Sequence, residues 1–279
     1  MVIGKVSINP THKINSKDIS SANAPQYRMS FNIKIDGLSL LILHNEDIIG
    51  AYNYHWQKAD WELCSKNVSS IINENPFTKY NYRSVDVFVD APESLLYPYE
   101  YFLDYSKQQL LDTYIGNSSY LALAQKLNIE AAMMVYAIHR ELYAVLKSAL
   151  VKVKFHHSSA MFIDKVLKEN KQGQNISLII ANDSFEIMAS EGDKLIAHNN
   201  FSYKTIDEFM FLLLSFVNQQ QYDTKVLSLK LYDDLLMDSP IALQLTQFFS
   251  NIVEYNNGSV DDKELIFSTI KNNTIIANS

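Results

Sequence analysis

The chain has 279 residues, 47% hydrophobic and 20% charged, and a formal net charge of -7 from 24 Lys+Arg against 31 Asp+Glu. This is a globular composition long enough for two lobes, and it lacks the clustered cations that displace counterions from phosphate, which argues against nucleic-acid binding. The one cysteine, Cys64, excludes an intramolecular disulfide and any multi-cysteine metal site, and it reads as a packing residue.

Residues 1–26 carry Asn9-Pro10 and a Ser/Asn/Ala/Pro stretch, and read as a loose or partly ordered extension. They hold no apolar run fit for a signal peptide. The longest apolar run, Phe209 to Val217, falls short of the roughly 20 residues that a spanning helix needs. A cytoplasmic protein without a transmembrane segment is expected.

Tyr27 to Trp56 predicts an antiparallel meander. Phe31, Ile33 and Ile35 alternate with polar residues, Asp36-Gly37 makes a turn, Leu38 to His44 is apolar enough for a strand covered on both faces, and Asn45-Glu46-Asp47 turns into Ile48 to Trp56. A helix over 60–73 follows and ends at Asn75-Pro76. Val85, Val87 and Val89 mark a strand whose Asp86 and Asp90 read as an exposed-face and an end position. Leu95 to Tyr99 is expected to lead into a helix over 100–113. Strands are predicted at 120–127 and 131–137, an amphipathic helix at 138–150, a strand at 151–155 and a helix capped by Ser158 or Ser159.

After Gly173 the organisation begins again. Strands at 176–181, 185–190 and 194–201 are separated by Asn182-Asp183-Ser184 and Glu191-Gly192-Asp193, and Thr205-Ile206-Asp207-Glu208 has the spacing of a capping box. It opens a helix, apolar nearly all round, that should be deeply buried. A strand at 226–231, a helix at 239–249 and a strand at 252–255 follow. A weak helix at 261–270 and a terminal strand at 274–277 complete the pattern.

Each half thus offers three meandering strands, a helix, and then alternating strands and helices. In this order of elements the chain resembles the duplicated actin-like, ribonuclease-H-like ATPases, among them type IV pilus assembly and cell-division proteins. In texture it resembles a bacterial family of unknown function with that fold, through Phe31 to Tyr54, Val85 to Phe102, Met134 to Leu146 and Asn175 to Asp207. The resemblance implies an α/β protein of two lobes, residues 27–172 and 173–279, each a mixed sheet flanked by helices.

The same resemblance implies a site for ATP with Mg between two Gly-containing acidic hairpin turns, with a Gly-Gly turn beside the adenosine. Asp36, Gly37 and Ser39 stand at the first turn, but Ile35 occupies the position of the expected aspartate. Asp183 and Ser184 stand at the second, which has no glycine, and Leu231 to Leu235 replaces the paired glycines. The expectation is therefore a non-catalytic scaffold or interaction module with no cofactor, and the alternative is an ATPase using those five residues. Tyr97, Tyr99 and Tyr101, rigid and amphipathic beside Pro98, are the candidates for binding a protein partner, which includes a second copy of the chain. His156-His157 lacks a further ligand at metal spacing, and no marked catalytic motif occurs.

Overall fold

A computed structural model describes residues 9–15, 19–45, 47–57, 60–91, 93–116, 118–128, 131–181, 183–232 and 239–254. The elements expected at 261–270 and 274–277 lie outside the described residues, as do Asp233 and Asp234. Contacts divide the chain into two compact units, the first from residues 1–126 and 131–160 and the second from 127–130 and 161–277.

The first unit begins with β1 (His12–Asn15), then the meander β2 (Arg28–Lys34), β3 (Gly37–His44) and β4 (Asp47–His55), and α1 (Trp61–Glu74). Next come β5 (Ser84–Val89), β6 (Ser94–Pro98), α2 (Lys107–Ile115), β7 (Tyr120–Lys126), β8 (Ala132–His139), α3 (Arg140–Ala149) and β9 (Val153–His157). The helix α4 (Ser158–Glu169) starts in this unit and carries the chain into the second. There β10 (Gln174–Ile180), β11 (Ser184–Glu191), β12 (Lys194–Ser202), α5 (Ile206–Gln219), β13 (Ser228–Leu231), α6 (Pro240–Phe248) and β14 (Ile252–Glu254) follow.

The sheet of the first unit runs β1-β4-β3-β2-β5-β9 and that of the second β12-β11-β10-β13-β14. With β1 set aside the two orders coincide: an antiparallel meander, then two strands added parallel to its first strand. The likeness extends to detail. In both units the pairing of the second with the third strand shifts register at its sixth and seventh residues, Ile42/Leu43 and Ala189/Ser190.

Local chemistry sets the helix starts. The Asp60 carboxylate accepts from Glu62 N and Leu63 N at 2.9 and 3.1 Å and caps α1. At α5 the Thr205 hydroxyl accepts from Glu208 N at 3.2 Å, while the Glu208 carboxylate reaches back to Lys204 N at 2.8 Å. Phe31, Leu40, Val87, Val68, Ile72 and Leu142 belong to one core joining the first sheet to α1 and α3. Ile176, Phe185, Ile187, Phe209, Leu213 and Leu245 form the corresponding core with α5 and α6.

Four expectations change. Residues 12–15 are an edge strand on β4, with Lys13 opposite Tyr52. Leu95 to Tyr99 does not lead straight into a helix: 94–98 is β6, which pairs with β8 in a separate sheet β6-β8-β7 backed by α2, and the helix starts only at Lys107. The helix α5 buries one side and leaves Phe211 69% exposed. Asp86 is 8% exposed, because its face of the sheet is covered.

Candidate functional site

The β2–β3 hairpin of the first unit closes on Ile35 and Asp36, with Lys34 paired to Gly37. Its carbonyls are held from inside the unit. The Trp56 indole N–H donates to Ile35 O at 2.8 Å and the Trp56 backbone N–H donates to Asp36 O at 2.9 Å. Trp56 follows β4 directly and is buried, so the end of the meander is folded over its own first turn. Cys64 of α1 lies against Lys34 O, and burial, with the Asp36 charge adding to it, pushes its thiol up to about 12. A thiol so placed is a packing group and no nucleophile at neutral pH.

Gly37 has a reason within the sheet. A Cβ built on it would stand 3.0 Å from the carbonyl oxygen of Tyr54 on β4, so the glycine permits a close approach of two strands. Ser39, two residues on, lies opposite Asn32 of β2 and Asn53 of β4.

The β10–β11 hairpin of the second unit has the same plan. Ala181 N donates to Ser184 O at 2.8 Å and closes the turn, and Tyr203, the residue after β12, covers it. The Tyr203 hydroxyl donates to Ala181 O at 2.6 Å and its backbone N–H to Asp183 O at 2.9 Å. Asp183 is exposed, and the Ser184 hydroxyl is 3.4 Å from its carboxylate.

The five residues expected around a nucleotide thus fall into two groups. Asp36, Gly37 and Ser39 share one hairpin, and Asp183 and Ser184 share the other. A backbone cradle for phosphate is made of successive N–H groups alternating right- and left-handed residues. Among the described residues, positive φ occurs at Asn45, Lys152, Gln221, Gly116, Gly173 and Gly192, and none of these lies in either hairpin. Trp56 and Tyr203 were not among the sequence candidates. Both follow a third meander strand and precede a capped helix, and aligning the two repeats is the signal that finds them.

Tyr97 is next to last in β6, an edge strand of the three-stranded sheet, and is half-buried. Tyr99 and Tyr101, in the short turn that follows, are 47% and 64% exposed, and Leu103 just after them and Tyr114 on α2 are exposed as well. Lys126 Nζ lies 4.1 Å from the centre of the Tyr99 ring, a cation–π contact.

The other titratable candidates have structural roles. His157 is buried, with Nε2 2.8 Å from Ala91 O and Nδ1 accepting from Ser159 N at 3.2 Å, the pattern of a neutral imidazole protonated at Nε2. His156 Nε2 is 3.1 Å from Asp86, which also accepts from the Ser84 hydroxyl at 3.0 Å and faces Arg28 at 3.7 Å. No group of three or more His, Cys, Asp or Glu able to hold a metal occurs among the described residues. Nor, among them, is any helix long and apolar enough to cross a membrane.

Two mixed sheets of one strand order, each with a covered first hairpin, define a protein of the actin-like ATPase fold. A solved Bacteroides thetaiotaomicron protein with actin-like ATPase fold and unknown function is similar with a TM-score of 0.77 at 16% identity, over 90% of this chain and 98% of that one. The PilM-PilN type IV pilus biogenesis complex is similar with a TM-score of 0.55 at 14% identity, over 90% of this chain and 96% of the matched one. The chain belongs to the family described as "Protein of unknown function (DUF3822)", whose model matches residues 16–252. No curated protein matches it.

Proposed function

We propose that this chain is a non-catalytic actin-like scaffold that works by binding another protein, either a different one or a second copy of itself. The observation that carries the reading is the backbone of the two hairpins. Their turns are fastened by Trp56 and Tyr203 and contain no described left-handed residue, and the one glycine is used against Tyr54. A triphosphate with magnesium needs several N–H groups converging on it, and these turns offer little of that kind.

The partner surface fits the insertion β6 to β8, the part of the first unit that the second lacks among the described residues. Tyr99, Tyr101, Leu103 and Tyr114 are its exposed large side chains, and a segment of tyrosines held by a proline binds at low entropic cost. The solved PilM, similar in fold, is seen with PilN, which supports an assembly role for this architecture.

Calorimetric titration of the whole chain with ATP and Mg²⁺ tests the reading. The expected result is no micromolar binding. Micromolar binding that is lost in Asp36→Ala or Asp183→Ala establishes instead an ATP-binding protein with atypical phosphate turns, in which Asp36, Gly37, Ser39, Asp183 and Ser184 do the gripping.

A further inference from the structure

The three-stranded sheet of the first unit has the order β6-β8-β7, so β6 and β7 are both edges. They are finished differently. Ser119 O accepts from Arg140 N at 3.0 Å, which turns the peptide groups of Leu121 and Leu123 toward β8 and those of Tyr120 and Ala122 outward. One side chain of α2 seals that outer row. Gln108 Nε2 donates to Tyr120 O at 3.4 Å and Gln108 Oε1 accepts from Ala122 N at 2.9 Å, as the peptide of a further strand would.

On β6 the alternation is fixed in the same way. Ala137 N donates to Glu93 O and Tyr99 N to Ala131 O, both at 2.9 Å, so residues 93, 95, 97 and 99 turn toward β8, and Ser94, Leu96 and Pro98 turn their peptide groups away. No described residue bonds to that outer row. Every residue of β6 keeps contact with solvent, whereas seven of the eight in β8 are buried.

The open row has two donors, the N–H groups of Ser94 and Leu96, and three acceptors, the carbonyls of Ser94, Leu96 and Pro98; the Pro98 nitrogen has no hydrogen to offer. Such a row is complementary to itself. Set antiparallel to a copy about a two-fold axis at Leu96, it brings Leu96 against the partner's Leu96 and Ser94 against the partner's Pro98. All four donors then find carbonyls: each Leu96 N–H reaches the opposite Leu96 O, and each Ser94 N–H the opposite Pro98 O.

The side chains agree with that pairing. Leu95 and the partner's Tyr97 become directly opposed, an aliphatic–aromatic pair made twice, and the two Leu96 side chains meet on the other face. No residue of β6 carries a charge, although the chain carries -7 in all, so two copies meet along this edge without opposing like charges. Tyr99, Tyr101 and Leu103, exposed just past the strand, continue its apolar character.

We propose that β6 pairs with β6 of a second copy, joining two three-stranded sheets into one of six strands and making the chain a two-fold symmetric dimer. The assignment rests on the protein-binding reading above and names the partner.

Sedimentation equilibrium of the full chain, from micromolar to millimolar concentration, tests the association. A reversible monomer–dimer equilibrium is expected, and Leu96→Lys, which sets two ammonium groups against each other, weakens it at least about tenfold with an unchanged circular dichroism spectrum. The register has its own test. Cys64, the one native cysteine, is buried, so an added thiol reports alone. Leu96→Cys places two thiols on Cα atoms about 5.5 Å apart, within disulfide reach, and oxidised glutathione links the copies, itself reduced as the two thiols are oxidised. Ser94→Cys leaves its two thiols more than about 13 Å apart and stays unlinked. A chain that is monomeric at millimolar concentration, a dimer of full strength in a folded Leu96→Lys protein, or linkage through Ser94→Cys equal to that through Leu96→Cys would each overturn the pairing. A monomer that also takes no ATP leaves the scaffold reading standing, whereas ATP binding removes that reading whatever the state of association.

Discussion

In the first unit the donors that hold the leading hairpin are the indole and backbone N–H of Trp56; in the second they are the hydroxyl and backbone N–H of Tyr203. The backbone part of each contact is the same, from the residue after the third strand to the last residue at the tip of the turn. The side-chain part differs in chemistry and reaches a carbonyl at the start of the turn. Geometry therefore fixes where a donor must stand, and residue type is free as long as it is aromatic, buried and able to donate. Gly37 and Ser184 occupy matching first positions of the second strand, and at Gly37 the carbonyl of Tyr54 stands 3.0 Å from a would-be Cβ. A third contrast lies in the fourth strands, where Asp86 and Lys230 stand at matching register, opposite Ser30 and Ser177. Asp86 is met by His156 and Arg28, whereas Lys230 donates to Asn170.

The widest break in this comparison comes from truncating the covering aromatics. Trp56→Ala leaves a cavity and an unheld turn, and is expected to cost about 3–5 kcal/mol, with Tyr203→Ala close behind. Both tryptophans of the chain, Trp56 and Trp61, lie in the first unit. Tryptophan fluorescence in urea therefore follows that unit, while circular dichroism follows both. Tyr203→Ala should shift the dichroism transition and leave the fluorescence transition nearly in place. Coincident shifts would mean that the units unfold together.

Replacing Asp86 by Asn is the next largest change, about 1.5–3 kcal/mol at neutral pH from lost charge-assisted hydrogen bonds. Burial pushes the Asp86 carboxyl up, but His156, Ser84 and Arg28 outweigh it and hold the group below its ordinary value. The sign follows from linkage: a depressed folded value contributes stability that is fully present above the unfolded value, about 3.9, and is lost as pH falls through the folded one. The stability gap between the natural chain and Asp86→Asn, measured by urea unfolding, should be present at about pH 5 and shrink below about pH 4.

Gly37→Ala, which forces a Cβ onto the Tyr54 carbonyl, should cost about 1–3 kcal/mol in the fluorescence transition. Ser184→Gly at the matching position should cost only about 0.5–1 kcal/mol. Equal effects would remove the steric account of Gly37. The finest test is Tyr203→Phe, which deletes the hydroxyl and keeps the ring, for about 1 kcal/mol in the dichroism transition.

Both meanders, their helices and the duplication were legible because alternation, tight polar turns and capping residues are local signals. The misread segments depend on distant partners. His12-Lys13-Ile14-Asn15 has no strand pattern of its own and becomes one only because β4 offers an edge. Leu95-Leu96-Tyr97-Pro98 looks like the approach to a helix until β8, roughly 40 residues on, supplies its pairing. Phe211 sits in an apolar run whose outward side periodicity alone could not assign, and Asp86 is buried by a face that strand alternation cannot see. At the hairpins the sequence named the residues of the turns. It did not name Trp56 and Tyr203, because a donor to a carbonyl some 20 residues earlier has no local mark.

The small strand β1 has one more effect. It lies along the outer side of β4, engaging a row of peptide groups that would otherwise be solvated and open to any extended chain. It also sets Lys13 opposite Tyr52. Trimming the chain past Asn15 would thus do two things at once: it would open a sticky border on the first unit and take away the residue that stands opposite Tyr52.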